Sequence, residues 1–196
     1  MLGDIRNISD WRQALIIGGR GYMLQFGTED APIASTTSID DLLVTAVVDV
    51  PSGTSAIPLY GQGVVATWTT ATLINYMIEV DNAKVRRSSG GSAFTPLALR
   101  TDAPIASAST VYVGPDVVTS AKTSGGSLEI YRESIEVNVG DAADFWPKIE
   151  YSPLVSPVVV GPASIIIHFG AASADMTVYG NLMWVEYPSQ YITNTG

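Results

Sequence analysis

From Gly21 onward the hydrophobic positions of this chain recur with the period of a strand and rarely with that of a helix. The clearest case is Leu73–Val80. Ile74, Tyr76, Ile78 and Val80 fall on one side, and Asn75, Met77 and Glu79 on the other. Successive side chains of a strand point to opposite faces, so this alternation marks a half-buried strand. It closes the apolar and β-branched run VVATWTTATLINYMIEV. GYMLQFG, DLLVTAVVDV, STVYVG, SLEIYRESIEVNVG, ASIIIHFG and MTVYGNLMWVEY are further strand candidates, rich in β-branched and aromatic residues. Glycine, proline, serine and asparagine fill the gaps between them, as tight connections require.

One candidate carries a defect. In SLEIYRESIEVNVG the apolar residues Leu128 and Ile130 are even-numbered, whereas Ile135, Val137 and Val139 are odd. A one-residue slip sends side chains to the opposite face, so a bulge or tight turn is expected around Arg132–Ser134. Such a bend lets a strand cross from one sheet to another at a sandwich corner.

Roughly eight strands without interleaved long helices predict an all-β fold, a two-sheet antiparallel sandwich. Jelly-roll topology is the first expectation and an immunoglobulin-like one the second. The second wants fewer strands and about half this length. No period of the kind that builds solenoids or propellers is present. No linker divides the chain, so residues 21–196 are expected to form one domain behind an arm or short helix over 1–20. In that arm Ser9 is a candidate cap, Gly18-Gly19 a stop, and Trp11, Ala14 and Leu15 one apolar face. The arm docks either on its own sandwich or on a neighbour.

Composition sharpens this picture. Hydrophobic residues make up 46% of the 196 positions and charged residues only 15%, against roughly 25% in an ordinary soluble domain. The first figure suffices for a core. The second predicts surface buried between subunits, since interface cores are depleted in charge; a surface rich in Ser, Thr and Gly is the alternative. A net charge of −9 argues against direct nucleic-acid binding, because phosphate is repelled. The absence of cysteine excludes disulfides and thiol chemistry. The N-terminus has no continuous apolar h-region, and the apolar runs elsewhere are too short to span a bilayer. A soluble protein without a cleaved signal or membrane contact is expected.

Catalytic patterns are scarce. His168 is the only histidine, so the usual zinc sets cannot form within one copy. Lying in Ile165-Ile166-Ile167-His168-Phe169, it reads as a hydrogen-bonded structural residue of a buried strand. Asp141 and Asp144 come closest to a calcium-like cluster, but the EF-hand spacing is missing. Neither the nucleophile-elbow pattern nor the phosphate-cradling glycine pattern occurs. The expectation is therefore a non-enzyme without cofactor or metal. Trp68, Trp146 and Trp184 would suit a sugar-binding groove if exposed. Trp68 and Trp184 lie in apolar strands and read as core; Trp146, next to Pro147, is an interface candidate.

The stretch NAKVRRSSGGSAFTPLALRT, Asn82 to Thr101, holds Lys84, Arg86, Arg87 and Arg100, four of the ten basic residues of the chain. Gly90-Gly91 loosens it, and Pro96 restricts Thr95 to extended conformations. The plain reading is a solvated loop with scattered ion pairs, each worth little. The functional reading is a contact loop between copies. There Lys84, Arg86 and Arg87 meet acidic groups of an adjacent subunit or another protein, and Phe94 and Leu97 add apolar contact. With Trp11, Leu15 and Ile16 of the arm, and Trp146, these are the candidate interface residues.

The stretch Asn82…Arg87-Ser88-Ser89-Gly90-Gly91-Ser92-Ala93…Thr95-Pro96-Leu97 resembles a segment that recurs in virion proteins of tailed bacteriophages. There a Ser- and Gly-Gly-rich turn leads into an extended segment bearing Thr-Pro. The ending Thr177-Val178-Tyr179-Gly180-Asn181-Leu182-Met183-Trp184 is similar to the last strand of such β-sandwich proteins. The resemblance covers about a sixth of the chain. It implies a structural subunit of a phage head, neck or tail, with a capsid-associated, decoration or connector role. It also implies a homo-oligomer, a trimer for preference, in contact with other virion proteins. A carbohydrate-binding attachment module is the alternative.

Overall fold

The computed structural model describes residues 11–36, 38–138, 147–171 and 176–191. Strands account for 58% of it and helix for 5%, so the strand periodicity carries the fold. A short helix, α1 (Trp11–Ile17), precedes β1 (Gly21–Phe26), β2 (Ile33–Ala34), β3 (Leu43–Val50), β4 (Thr54–Thr67) and β5 (Thr72–Asp81). Three short strands follow: β6 (Arg87–Ser89), β7 (Ser92–Phe94) and β8 (Leu97–Ala98). The order ends with β9 (Thr110–Thr119), β10 (Ser127–Val137), β11 (Lys148–Tyr151), β12 (Val159–Val160), β13 (Ala163–Ala171) and β14 (Thr177–Pro188).

Two antiparallel sheets face each other. The first runs β11-β4-β14-β1-β8 and the second β10-β5-β13-β3-β9-β6, with β12, β2 and β7 attached beside these paths. Two four-stranded blocks lie within them, β1-β14-β4-β11 and β3-β13-β5-β10. The chain visits them as β1, β3, β4, β5, β10, β11, β13, β14. It changes sheet at every step except from β5 to β10. This is the winding of a jelly roll. The excursion between β5 and β10 adds β9 and its short partners along the outer edge of β3.

The alternation in β5 now has a cause. Ile74, Tyr76, Ile78 and Val80 are completely buried between the sheets. They share that core with Ile165, Ile167 and Phe169 of the same sheet and with Leu24, Val65, Leu182 and Trp184 of the other. The sheets meet closely at Gly63 of β4. A Cβ there would sit 2.2 Å from Cε2 of Phe169, so glycine leaves the hole that the ring fills. Phe169 in turn meets Tyr76 edge-on, with ring centroids 5.2 Å apart.

Three expectations change in detail. The run VVATWTTATLINYMIEV is not one strand: β4 stops at Thr67, and β5 starts at Thr72 in the opposite sheet. Its neighbour TSAIPLYGQG, which Pro58 and two glycines disguise as a loop, is the first half of β4. Pro58 is tolerated because it sits at a bulge against β14. It also falls between the stretches that pair with β12 and β11. The phase slip in β10 occurs between Glu129 and Tyr131, earlier than Arg132–Ser134, and Ile130 and Tyr131 both pack on the core. The strand stays on β5 throughout, so the bulge absorbs the slip without a change of sheet.

α1 ends as its glycines predict. Gly19 takes φ +76°, its N–H bonds to the Ile16 carbonyl at 2.9 Å, and the Arg20 N–H bonds to the Leu15 carbonyl at 3.0 Å. This pair of bonds closes a helix with a left-handed residue. The helix packs on β1 and β14 of its own chain, with Leu15 and Ile16 half-buried and Trp11 exposed. Ser9 lies outside the described residues.

The tight fit at Gly63 is testable. Gly63→Ala should destabilise by about 1–3 kcal/mol in denaturant unfolding, the usual range for overpacking. Adding Phe169→Leu should make the two effects less than additive. Full additivity would show that the ring and the glycine do not share this space.

Candidate functional site

The stretch Asn82–Thr101 is no open loop. β6 and β7 pair with β9 at the edge of the second sheet, and β8 pairs with β1 at the edge of the first. One segment thus covers both edges on the same side of the sandwich, where unpaired backbone groups would otherwise invite another chain. Gly90 and Gly91, at φ +66° and +67°, carry it between β6 and β7. A Cβ on Gly90 would lie 2.0 Å from the Asp116 carbonyl oxygen, so a larger residue is excluded there.

The basic residues of this stretch separate. Arg86 is fully buried on the outer face of the second sheet. Its Nη1 bonds to Glu79 Oε1 at 2.7 Å and lies 3.7 Å from Asp81 Oδ2. Nε donates to the Ser120 carbonyl at 2.7 Å and Nη2 to the Asp41 carbonyl at 2.8 Å. Its own N–H reaches Ser164 Oγ at 2.8 Å and Asp49 Oδ1 at 3.3 Å. The Ser164 hydroxyl also donates to Asp49. Burial pushes the Asp49 carboxyl above its ordinary range, against the pull of these hydrogen bonds. Asp81 accepts from the Ala83 and Thr123 amides at 3.0 and 3.1 Å. The expectation that Arg86 meets a neighbouring copy is therefore corrected: its counter-charges are in its own chain, and no surface of it is open to a partner.

Arg87 lies with its guanidinium 3.4 Å from the centre of the Tyr112 ring and bonds to the Gly90 carbonyl at 3.0 Å. Lys84 is half-buried. Phe94 packs against the main core, and Leu97 stays 46% exposed. Arg100 pairs with Asp102 at 2.8 Å and ties this segment to the Ile17 carbonyl at the end of α1. Trp146, Asp141 and Asp144 lie outside the described residues. Trp68 and Trp184 are core, as expected, so they form no exposed aromatic row.

A cleft of about 1100 Å³ opens on the outer face of the second sheet. Asp41, Met77, Glu79, Lys122, Glu129 and Arg132 line it, and its charges largely pair among themselves. Arg132 meets Glu129 at 2.6 Å and Lys122 meets Asp41 at 3.3 Å. Among the described residues no group of three or more His, Asp or Glu side chains could hold a metal. Beside Met77, on the same face, lies His168, 1% exposed. Among the described residues neither ring nitrogen finds a hydrogen-bond partner, which corrects the expectation of a hydrogen-bonded histidine.

A different surface was missed in the sequence. Leu154 and Val155 are 94% and 88% exposed on the turn between β11 and β12. The signal was SPLVSP, two aliphatic residues between proline steps with no alternation to place them in a strand. The Leu154 carbonyl accepts from Arg12 Nη2 at 3.2 Å, which brings this tip beside α1. There Trp11, Leu15, Ile57, Tyr187 and Pro188, with Arg20, line an almost wholly apolar groove of about 320 Å³. Among the described residues no helix is long and apolar enough to cross a membrane. No protein-family model, curated protein or solved structure matches this chain.

Arg86→Met should destabilise the fold by about 3–5 kcal/mol, because Glu79 and Asp81 would stay buried without their counter-charge. A loss below about 1 kcal/mol, the range of solvent-facing pairs, would refute the internal role. Urea unfolding followed by tryptophan fluorescence measures it.

Proposed function

We propose that this chain is a non-enzymatic structural subunit of a bacteriophage virion and works by homo-oligomeric assembly. The observation that carries the assembly reading is the apolar tip Leu154-Val155 beside the groove under α1. A single exposed aliphatic residue is ordinary, but two adjacent ones beside an apolar groove make a patch of the kind that marks an interaction surface. Burying each contributes about 1.5–3 kcal/mol, and the tip carries no charge that would have to be desolvated.

The low charged fraction, 15%, supports the same reading. So do the buried positions of Glu79, Asp81, Arg86 and Glu186, which leave still fewer charges at the surface. The outer face of the first sheet, around α1, is the part of the molecule best suited to a like subunit. Trp11, an expected interface residue, is 48% exposed there. Of the other interface candidates, Leu15 and Ile16 belong to the same face through α1, Phe94 packs on the chain's own core, and Lys84, Arg87 and Leu97 lie along Asn82–Thr101 and suit a second contact. The phage assignment and the preference for a trimer rest on the resemblance of Asn82–Leu97 and Thr177–Trp184 to virion segments. A decoration, connector or other capsid-associated place follows from it, with the virion as location and other virion proteins as partners.

Two measurements test these points separately. Leu154→Ser combined with Val155→Ser should shift sedimentation toward the monomer at least tenfold in dissociation constant. Its effect on monomer stability should stay within about 0.5 kcal/mol, as for other exposed positions. Unchanged sedimentation would remove the tip from any interface. Mass spectrometry of purified particles should find this chain at stoichiometric copy number; its absence would end the virion assignment and leave the assembly reading standing.

A further inference from the structure

His168 is a titratable side chain that the assembly reading does not use. It projects from β13 on the outer face of the second sheet, in register with Met77 of β5. Two residues on, Gly170 lies under the strap Ser38–Leu42: a Cβ there would be 2.7 Å from the Ser38 carbonyl carbon. The strap is fastened at its far end, where the Asp41 carbonyl accepts from Arg86 and from the Thr119 hydroxyl. The Thr119 N–H bonds to the Leu42 carbonyl at 3.0 Å. The returning segment 120–126 is fastened by Arg86 to the Ser120 carbonyl and by the Thr123 N–H to Asp81. His168 is 1% exposed, and both its ring nitrogens lack a partner among the described residues.

The groups around it decide what a proton would do. Arg86, Lys122 from the 120–126 segment and Arg132 from β10 repel a charged imidazole, and Asp41 of the strap attracts it. Further carboxylates of this face are Glu129, paired with Arg132; Glu79 and Asp81, both beside Arg86; and Asp49, which accepts from Ser164 and the Arg86 amide. Each is already engaged by these groups, so none is available to His168 alone. Charging the ring in place is opposed first by burial and then by these cations.

We propose that His168 makes this face acid-responsive: at mildly acidic pH the imidazole takes a proton by reaching water, and the strap Ser38–Leu42 and the segment 120–126 lift from the second sheet to let it. The sign follows from linkage. Burial lowers the pKa of the closed form from 6.5 to about 4. Closure is therefore complete above about pH 6.5 and weakens as the pH falls toward 4, because the open form binds the extra proton. Over that range the open-to-closed ratio rises on the order of 10²-fold. Asp49 acts in the opposite sense. Its carboxyl is raised by burial, so the closed form takes that proton more readily and is tightened by acid. The Glu129 carboxylate, held low by Arg132, titrates below the window in question.

Hydrogen exchange read by mass spectrometry tests this between pH 6.5 and 5, above the range of ordinary carboxylates, after correction for intrinsic rates. The amides of Thr119, Ser120 and Thr123, which bond to the Leu42 carbonyl of the strap, to the Arg86 carbonyl and to Asp81, should lose protection at least tenfold across that interval, while β13 and β14 keep theirs. His168→Phe should abolish the loss. Equal loss in the parent and in His168→Phe would overturn the proposal. Because His168 is the sole histidine, its ring resonance is also unambiguous by NMR in the unmodified chain. A titration near 6.5 with the strap still protected would overturn the proposal even if the variant did not fold. A ring that stays neutral at pH 5.5 in the closed form, and charges only as the strap exchanges, is the expected result.

Discussion

The buried guanidinium of Arg86 is the contact on which the second sheet's outer side depends. Three segments converge on it, the strap at Asp41, β5 at Glu79 and Asp81 and the turn at Ser120, and two more, β3 at Asp49 and β13 at Ser164, accept from the backbone N–H of the same residue. An arginine suits this role because its planar fork presents fixed donors in several directions. Each donor answers a carboxylate or carbonyl that would be costly to bury alone. With those groups satisfied, the chain can leave β5, cross to the far edge at β9, and return to form β10 beside β5.

That crossing explains why the two faces of the molecule differ. On the second sheet the outward residues Met77, Glu79 and Asp81 are buried almost as deeply as the core, and Val44, Val47, Val117 and Ile166 form a small separate cluster. Apart from His168, the buried charges of this face bond within the chain, and its cleft is lined by charges that largely pair with one another. Among the described residues, α1 and the proline-flanked turn lie on the outer side of the first sheet. The groove beside α1 is apolar, whereas farther along that face Tyr60 bonds to Gln62 and Lys148 pairs with Glu150.

The edges follow the same logic. β6, β7 and β8 occupy backbone groups of β9 and β1 that an open edge would offer to any strand. At the opposite side β10 is long and exposed, but its bulge at Ile130 and its charges Glu129, Arg132, Glu133 and Glu136 oppose further pairing. Both edges of the sandwich are thus guarded against indiscriminate pairing with another chain.

Periodicity alone determined the class of fold, the inward face of β5, the glycine stop of α1, and the burial of Trp68 and Trp184. These are local properties: a side chain's face depends on its neighbours two residues away, and a glycine's turn on its own φ. The Gly90-Gly91 break was legible for the same reason. Tertiary structure alone decided the fate of charge. Arg86 and Arg87 are adjacent and chemically alike, yet one is sealed among carboxylates from β3 and β5 and the other lies on Tyr112. The carboxylates beside the Arg86 guanidinium come from residues 79 and 81, the carbonyls from 41 and 120, and no spacing in the sequence announces that they meet. His168 was read as hydrogen-bonded because most buried polar groups are, but among the described residues the fold brings no partner to either ring nitrogen. Leu154 and Val155 read as ordinary hydrophobic residues until the fold left them in water. Whether a residue is covered depends on which strands lie next to each other, and only the winding of the whole sandwich decides that.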